Sequence, residues 1–95
     1  MTSVEIRRVE TNKKQYLALL LLADEQEDMI DRYLERGSMY VLEDDGVKAE
    51  CVVTDEGGGV LELKNIAVEP DFQGKGYGKA LVDFLIRAYA GQYTL

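Results

Sequence analysis

The segment 73–79 reads Gln-Gly-Lys-Gly-Tyr-Gly-Lys and lies between an apolar run and an amphipathic stretch. Glycine in a helix interior costs about 1 kcal/mol relative to alanine, and a lysine in the first turn is repelled by the positive end of the helix dipole. An anion at the helix N-terminus removes both conflicts, because glycine leaves backbone N–H groups accessible and the anion attracts the lysines. The spacing therefore predicts a loop that binds a phosphate or pyrophosphate.

Two common phosphate-binding motifs do not fit this segment. A Walker A loop requires glycine where the chain has Gln73, and serine or threonine where it has Ala80. The dinucleotide fingerprint requires glycine where the chain has Lys79, and it needs an early first strand and an acidic residue about 20 residues further on. What is left is the pattern Gln-x-x-Gly-x-Gly, formed by Gln73, Gly76 and Gly78.

This pattern resembles the central acetyl-CoA motif of the GNAT superfamily of acyl-CoA-dependent N-acetyltransferases. That motif combines an apolar strand, Val-x-Pro, a short spacer, Gln/Arg-x-x-Gly-x-Gly/Ala and a helix, and residues 61–85 contain all of these in order. The resemblance implies an α/β (α+β) fold, with a mixed, mostly antiparallel sheet, two helices after strand 1 and a βαβ crossover from strand 4 through helix 3 to strand 5. It also implies a single GNAT-like domain over residues 1–95, truncated at the C-terminus, because the family continues with a further helix and two strands.

The resemblance implies acetyl-CoA as the co-substrate and no metal. Backbone N–H groups of residues 73–78 would hold the pyrophosphate, and the strand backbone at Ile66 and Val68 would pair with the pantetheine arm. This pairing requires the strand to splay from its next neighbour, usually through a bulge. A main-chain N–H near Ile66 would stabilise the tetrahedral oxyanion. The side chain of Tyr77 either packs or lies beside the cofactor. The implied cofactor-binding residues are Ile66, Ala67, Val68, Gln73, Gly74, Lys75, Gly76, Tyr77, Gly78 and Lys79.

Attack of an amine on a thioester needs a neutral amine, so a base or a water chain must accept a proton. Glu62, on the same strand as Ile66, lies in the region where the resemblance places that carboxylate. The alternative is a solvated residue on the polar face of the strand. The acidic residues between Asp24 and Asp28 lie where acceptors often bind in the family, but a solvated helix start explains them equally well. Cys51 is predicted to be a core residue of a strand.

The composition excludes several other chemistries. With no histidine and one cysteine, the chain has no Ser-His-Asp triad, Cys-His dyad or Cys/His metal cluster. A net charge of −7 argues against a general nucleic-acid surface. The N-terminus does not resemble a signal peptide, and the longest apolar run, 17–23, is far shorter than the roughly 20 residues of a membrane span. Together with the single cysteine, these features predict a cytoplasmic protein without nucleic-acid or membrane partners.

The apolar periodicity predicts the elements that position the loop. Capping-box signatures at Asn12 and Asp24 predict two helices, the second of which ends at Gly37. The last helix is predicted from Gly76 to Ala90, with Leu81, Phe84, Leu85 and Ala88 on its core face. Strands are predicted at 4–9, 39–42, 47–54 and 60–68, with a type I′ turn at 45–46, a glycine turn at 57–59 and the opening of a further strand at 92–95.

Two functions follow from these patterns. The first is an N-acetyltransferase in which a primary amine, of a small molecule or a protein, directly attacks acetyl-CoA. The second is a catalytically inactive fragment that keeps the core fold and weak CoA binding. The strand edges at 60–68 and 92–95 lack partners in this sequence, and exposed edges tend to pair with another chain. We therefore expect a homodimer or a swapped oligomer.

Overall fold

Four strands form one antiparallel sheet in the computed structural model of the chain, which describes residues 4–91. Their order in the sheet is their order in the sequence, so each strand pairs with its chain neighbours. The antiparallel part of the predicted sheet is confirmed, whereas the predicted strand 5 and its crossover fall outside the described residues. The strands are β1 Glu5–Val9, β2 Ser38–Glu43, β3 Val47–Gly57 and β4 Val60–Val68.

Three α-helices flank the sheet. Two short ones, α1 Leu17–Ala23 and α2 Glu27–Asp31, connect β1 to β2, and a 3-10 turn at Lys13–Tyr16 precedes α1. The third, α3 Tyr77–Ala88, follows β4 and a 3-10 turn at Pro70–Phe72. Of the helices found between residues 4 and 91, none is long and apolar enough to cross a membrane.

The predicted capping boxes are wrong. Asn12 adopts a left-handed conformation (φ 51°) and its side chain makes no capping bond; its carbonyl oxygen instead accepts the N–H of Gln15 at 3.1 Å. The N-cap of α2 is Gln26, with no side-chain capping bond. The carboxylate of Asp24 accepts hydrogen bonds from the hydroxyl of Tyr33 at 3.3 Å and from the N–H of Gln26 at 3.5 Å.

The second helix also ends earlier than predicted, at Asp31, and turns occupy residues 32–36. Gly37 does not have the positive φ of a helix-terminating glycine. A Cβ atom there would lie 2.7 Å from Val52 Cγ1 and 2.8 Å from the carbonyl oxygen of Tyr33. This glycine is therefore required by close packing on the sheet rather than by a left-handed backbone. The turn at Asp45–Gly46, in contrast, has the two positive φ angles (55° and 97°) that the predicted type I′ turn requires.

The sheet separates two hydrophobic clusters. One face packs against α1, α2 and the turn that follows, through Leu20, Ile30, Leu34, Met39 and Val52 among others. The other face packs against α3, whose Leu81 and Leu85 are buried as predicted, together with Leu42, Cys51 and Val53. Ala88 was predicted on the core face of α3, but it is exposed: the helix ends there, and Tyr89 makes the next sheet contact, 2.7 Å from the Tyr40 hydroxyl.

A bulge at Lys64 divides β4 into two halves. Val52 pairs with Asn65 and Val53 pairs with Leu63, so Lys64 has no opposite residue in the ladder with β3. An extra residue reverses the alternation of side chains along a strand. The α3 face therefore receives Leu61 and Leu63 before the bulge but Ile66 and Val68 after it. The predicted splaying of β4 from strand 5 lies outside the described residues.

Candidate functional site

A cleft of about 320 Å³ runs along the outer side of β4, between α1 and the beginning of α3. The three consecutive strand residues Ile66–Val68 form one wall. Leu22 of α1, which is 49% exposed, closes the cleft on one side of the sheet. Gln73 and Gly78 close it on the other, so the structure brings five of the predicted site residues together around one space.

The backbone of Ile66 and Val68 points into this space. The N–H of Glu69 donates to the carbonyl oxygen of Lys48 at 2.8 Å, which places this opposite pair in hydrogen-bonding register. In an antiparallel ladder such pairs alternate with pairs whose N–H and C=O groups point away from each other. Ala67 therefore faces β3, and Ile66 and Val68 direct both backbone groups to the open side of β4. Consistent with this direction, Gln73 Nε2 donates to the carbonyl oxygen of Val68 at 3.3 Å.

The N-terminus of α3 opens beside the cleft. Gly76 is the N-cap residue (φ 85°), and no side chain among the described residues caps the helix. The first intrahelical bond runs from the Ala80 N–H to the Gly76 carbonyl oxygen at 2.9 Å. The N–H groups of residues 77–79 therefore have no partner within the helix and carry the positive end of its dipole. Gly74 (φ 82°) and Gly76 have positive φ angles, which favour glycine. A Cβ on either would meet nothing within 4 Å, so the backbone conformation and not a steric clash requires glycine there.

The two predicted lysines differ in their surroundings. Lys79 is 81% exposed on its side chain and pairs with Asp83 at 2.8 Å. Lys75 Nζ lies 5.3 Å from the centre of the Phe72 ring, and Lys48 Nζ lies 4.7 Å from the same ring. Lys48, which was not predicted, thus approaches the loop from β3. The pairing of β3 with β4 brings residue 48 opposite residue 69, and the residues next to Lys48 in the sequence do not indicate this contact.

The side chain of Tyr77 packs rather than facing the cleft. Its hydroxyl donates to Asp44 Oδ2 in the β2–β3 turn, and its ring lies against the α3-side cluster. This hydrogen bond raises the pKa of Tyr77. Of the two alternatives, the structure supports packing for the side chain, while the backbone N–H stays in the open first turn of α3.

Glu62 lies on β4 opposite Thr54, before the bulge. Its side chain is 51% exposed and pairs with Lys64 at 3.1 Å. It lies four positions before Ile66, or about 13 Å along the strand. The structure therefore does not bring its carboxylate next to the backbone of Ile66.

Four polar side chains form a row beneath α1 and α2. Asn65 Nδ2 donates to the carbonyl oxygen of Leu20 at 3.1 Å and to the hydroxyl of Tyr33 at 3.0 Å, and Tyr33 donates to Asp24. Glu50, fully buried in β3, lies on the same face; burial raises its pKa to about 8. Asn65 adjoins the predicted strand residues, and nothing in the sequence selects it. Glu50 was not predicted; an acidic residue inside the apolar run 49–53 was the available signal for it.

The remaining predicted groups have ordinary surroundings. Glu25 and Asp28 are exposed, and Glu27 pairs with Lys14 at 2.8 Å, as expected for acidic residues at a solvated helix start. Cys51 is buried in the α3-side cluster, and burial raises the pKa of its thiol to about 12, which fits the predicted core role. Among residues 4–91, no group of three or more potential ligand side chains is arranged to hold a metal ion.

Comparison with known proteins gives concordant matches. A family model described as an acetyltransferase (GNAT) domain matches residues 35–95. An uncharacterised N-acetyltransferase of Bacillus subtilis, YvbK, is 43% identical over 74 residues, which are 77% of this chain and 47% of that protein. An IAA acetyltransferase from Bacillus cereus superimposes with a TM-score of 0.83 at 38% identity, over 94% of this chain and 59% of that one. A GNAT family acetyltransferase from Elizabethkingia anophelis, solved with acetyl-CoA bound, gives a TM-score of 0.87 at 29% identity, over 95% and 60%.

The chain thus spans about half to three-fifths of the length of these relatives.

Proposed function

Because this chain belongs to the GNAT acetyltransferase family, we propose that it binds acetyl-CoA along the open side of β4 and transfers the acetyl group to an amine. One observation carries the proposal: a single cleft is bordered by the outward backbone of Ile66 and Val68 and by the uncapped N-terminus of α3. The acetyl-CoA-bound relative from Elizabethkingia anophelis supports the choice of co-substrate.

The diphosphate would be held by the first turn of α3. Three N–H groups without intrahelical partners and the dipole of a 12-residue helix favour an anion at this position. Lys75 and Lys48, both beside Phe72, would add positive charge near it. Lys79 contributes less, because it is paired with Asp83 and largely surrounded by solvent.

The pantetheine arm would lie against β4 as an additional strand does. Its amide groups match the outward N–H and C=O groups of Ile66 and Val68 in chemistry. The N–H of Ile66 would then face the thioester carbonyl and stabilise the negative charge that develops on its oxygen when the amine attacks. Removal of one such donor typically lowers the rate by about 10²–10³-fold.

The acceptor in this proposal is a primary amine of a small molecule or a protein. Its ammonium form must lose a proton before it attacks. Glu62 stays a predicted proton acceptor; from its position it would act through a chain of water molecules rather than directly. The cytoplasmic location and the homodimer or swapped oligomer also stay proposals. The buried, unpaired Cys51 supports the first, and β4 as the edge strand among the described residues supports the second.

The cleft can be tested by filling it. Gly78 lines the cleft and has no positive φ, and a Cβ there would lie 3.6 Å from Val68 Cγ2, an ordinary contact. Gly78→Leu should therefore fold and still block the space. Gly76→Asp is a less clean test, since the left-handed backbone of Gly76 would strain any side chain. Ala88→Leu, on an exposed position of the same helix, is the matched control.

Acetyl-CoA titration by calorimetry and a thiol-release assay with a panel of primary amines are the measurements. We expect the chain to bind acetyl-CoA and release CoA with at least one amine, Gly78→Leu to lose binding, and Ala88→Leu to keep it. If the unaltered chain does not bind acetyl-CoA, the proposal is wrong. Binding without CoA release for any amine would instead favour the inactive fragment.

A further inference from the structure

Three buried oxygen atoms on the α1 side of the sheet have no hydrogen-bond partner among the described residues. They are both carboxyl oxygens of Glu50 and Oδ1 of Asn65. Glu50 is 0% exposed and Asn65 is 3% exposed. Buried polar groups in native proteins are nearly always paired, by protein groups or by ordered water, because an unpaired one carries its full desolvation penalty.

The residues that carry these oxygens are neighbours of Ala67, which forms part of the wall of the cleft. Glu50 is opposite Ala67 in the β3–β4 ladder, and Asn65 is the diagonal neighbour on the same face. By the alternation described above, Glu50 and Ala67 form a hydrogen-bonded pair, with Cα atoms about 5.5 Å apart. Ala67 lines the cleft, and its side chain is only a methyl group. The carboxyl group and the cleft are therefore separated by one small residue.

When Glu50 is ionised, all three oxygens are acceptors and none of them can satisfy another, so the ionised form needs a further hydrogen-bond donor. A water molecule has two donors and is the common solution for neighbouring buried acceptors. The amide of Asn65 is held in place by its bonds to Leu20 and Tyr33, which leaves Oδ1 as the free end.

Resting on the acetyl transfer proposed above, we propose that Glu50 takes up the proton of the acceptor's ammonium group through a water held between its carboxylate and Asn65 Oδ1. One proton passes from the ammonium nitrogen through the water to Glu50, and from there to solvent. The neutral amine attacks the thioester carbon, the C–N bond forms and the C–S bond breaks. The second proton leaves the nitrogen and neutralises the departing thiolate.

Glu50 lies closer than Glu62 to the expected position of the thioester. The thioester would lie one strand spacing outside β4, opposite the Ile66 N–H, and Glu50 lies one spacing inside it, each about 4.8 Å from the strand. Glu62 is on the far side of the bulge and is engaged by Lys64. Asn65 follows the reversal of alternation at Lys64, and Glu50 is opposite Ala67 in the ladder, so both lie beside Ala67 on one face.

Burial raises the pKa of Glu50 to about 8, so its carboxyl group ionises just above neutral pH. Among residues 4–91, the titratable group on its side of the sheet is Tyr33, from the segment after α2, with Asp24 behind the Tyr33 hydroxyl. Cys51, the next residue on β3, is buried on the opposite face. β2 and β4 contribute the uncharged Val41, Ala67 and Asn65. A base with such a pKa accepts a proton and returns it to solvent efficiently.

The test compares the pH dependence of CoA release for the unaltered chain and for variants, with acetyl-CoA and a panel of primary amines between pH 6 and 10. For Glu50→Gln we expect kcat to fall by about 10²–10⁴-fold, KM for acetyl-CoA to stay the same, and the rise in rate centred near pH 8 to disappear. Glu50→Asp keeps a carboxylate and should restore part of the rate. Glu35→Gln, the same change on an exposed turn, should behave as the unaltered chain.

A merely structural role for Glu50 would not remove the inflection near pH 8. If Glu50→Gln keeps both rate and inflection, the proposal is overturned, and if Glu62→Gln loses the inflection instead, Glu62 is the proton acceptor. If the unaltered chain releases no CoA with any amine, the acetyl-transfer proposal fails and this one fails with it. That result is distinct from an active unaltered chain whose Glu50→Gln variant keeps its rate and inflection. Unfolding by urea checks that Glu50→Gln is folded, as its shape and neutral charge lead us to expect.

Discussion

The ammonium group of Lys13 lies 2.7 Å from the carbonyl oxygen of Gly37 and 2.9 Å from that of Leu34. Lys13 is only 8% exposed, and a third carbonyl, of Glu35, lies 3.3 Å away. One buried cation thus satisfies the carbonyl groups of the turn that follows α2 and fastens this turn to the 3-10 turn before α1. The α1–α2 side, which carries Leu22 and Asp24 of the site, is held to the sheet in part by this contact.

Replacement of Lys13 by methionine should destabilise the fold. The methionine fills much of the same space but leaves two or three buried carbonyl groups without a donor, at about 1–3 kcal/mol for a buried unsatisfied group. We expect the free energy of unfolding in urea to fall by about 2–4 kcal/mol. Lys14→Met is the matched control, because Lys14 is exposed and its ion pairs with Glu27 and Asp31 contribute little to stability in solvent. Equal effects of the two changes would contradict this reading.

Alanine at position 37 should also be costly. The added Cβ would come within 2.7 Å of Val52 Cγ1 and 2.8 Å of a backbone oxygen, and the backbone cannot move without shifting the turn. Overpacking of this kind costs about 1–3 kcal/mol. Gly78→Ala provides the comparison, since its Cβ has room, and it should change stability by less than about 1 kcal/mol. Thermal unfolding followed by circular dichroism measures both, and a neutral Gly37→Ala would refute the steric argument.

The lysines beside Phe72 should strengthen binding of acetyl-CoA through charge. Lys48→Gln and Lys75→Gln should each weaken binding by about 2–5-fold at low salt, the size expected for solvent-exposed charges. The effect should shrink as ionic strength rises, because salt screens exposed charges. Lys14→Gln, on the side of the molecule that carries α1 and α2, should leave affinity unchanged. Calorimetric titration at two salt concentrations decides, and a salt-independent loss would point to packing against Phe72 instead.

Glu50 should make the fold less stable as pH rises. In the unfolded chain its carboxyl ionises with a pKa near 4.5, whereas in the fold the pKa is about 8. Below pH 4.5 both states are protonated and the group has no effect. Between about pH 4.5 and 8 only the unfolded state releases the proton, and stability falls by up to about 1.4 kcal/mol for each pH unit before levelling off above 8.

Glu50→Gln removes this dependence. The variant should gain stability over the unaltered chain by a few kcal/mol more at pH 8.5 than at pH 5, in urea unfolding at the two pH values. Stability and catalytic rate should therefore change in opposite directions at this residue. An equal stability difference at both pH values would show that Glu50 is already ionised in the fold at pH 5.

Local patterns in the chain determined the strands, the type I′ turn and the glycine loop before α3, because strand alternation and glycine spacing act over a few residues. The loop pattern also identified the family, and the strand residues Ile66–Val68 that line the cleft came with it. The predicted capping boxes and the predicted end of α2 were wrong. The carboxylate of Asp24 accepts a hydrogen bond from the hydroxyl of Tyr33, and the carbonyl groups after α2 accept hydrogen bonds from Lys13, so both depend on residues outside the local pattern.

Only the tertiary structure decided which side chains meet at the cleft. The bulge at Lys64 reverses the faces of β4, and no rule of alternation in the sequence reveals where one residue will be left out of the ladder. It is this reversal, with the β3–β4 register, that places Asn65 beside Glu50, brings Lys48 to Phe72, and separates Glu62 from Ile66. Pairing between strands depends on contacts across the whole sheet, and it therefore cannot be read from the neighbours of any one residue.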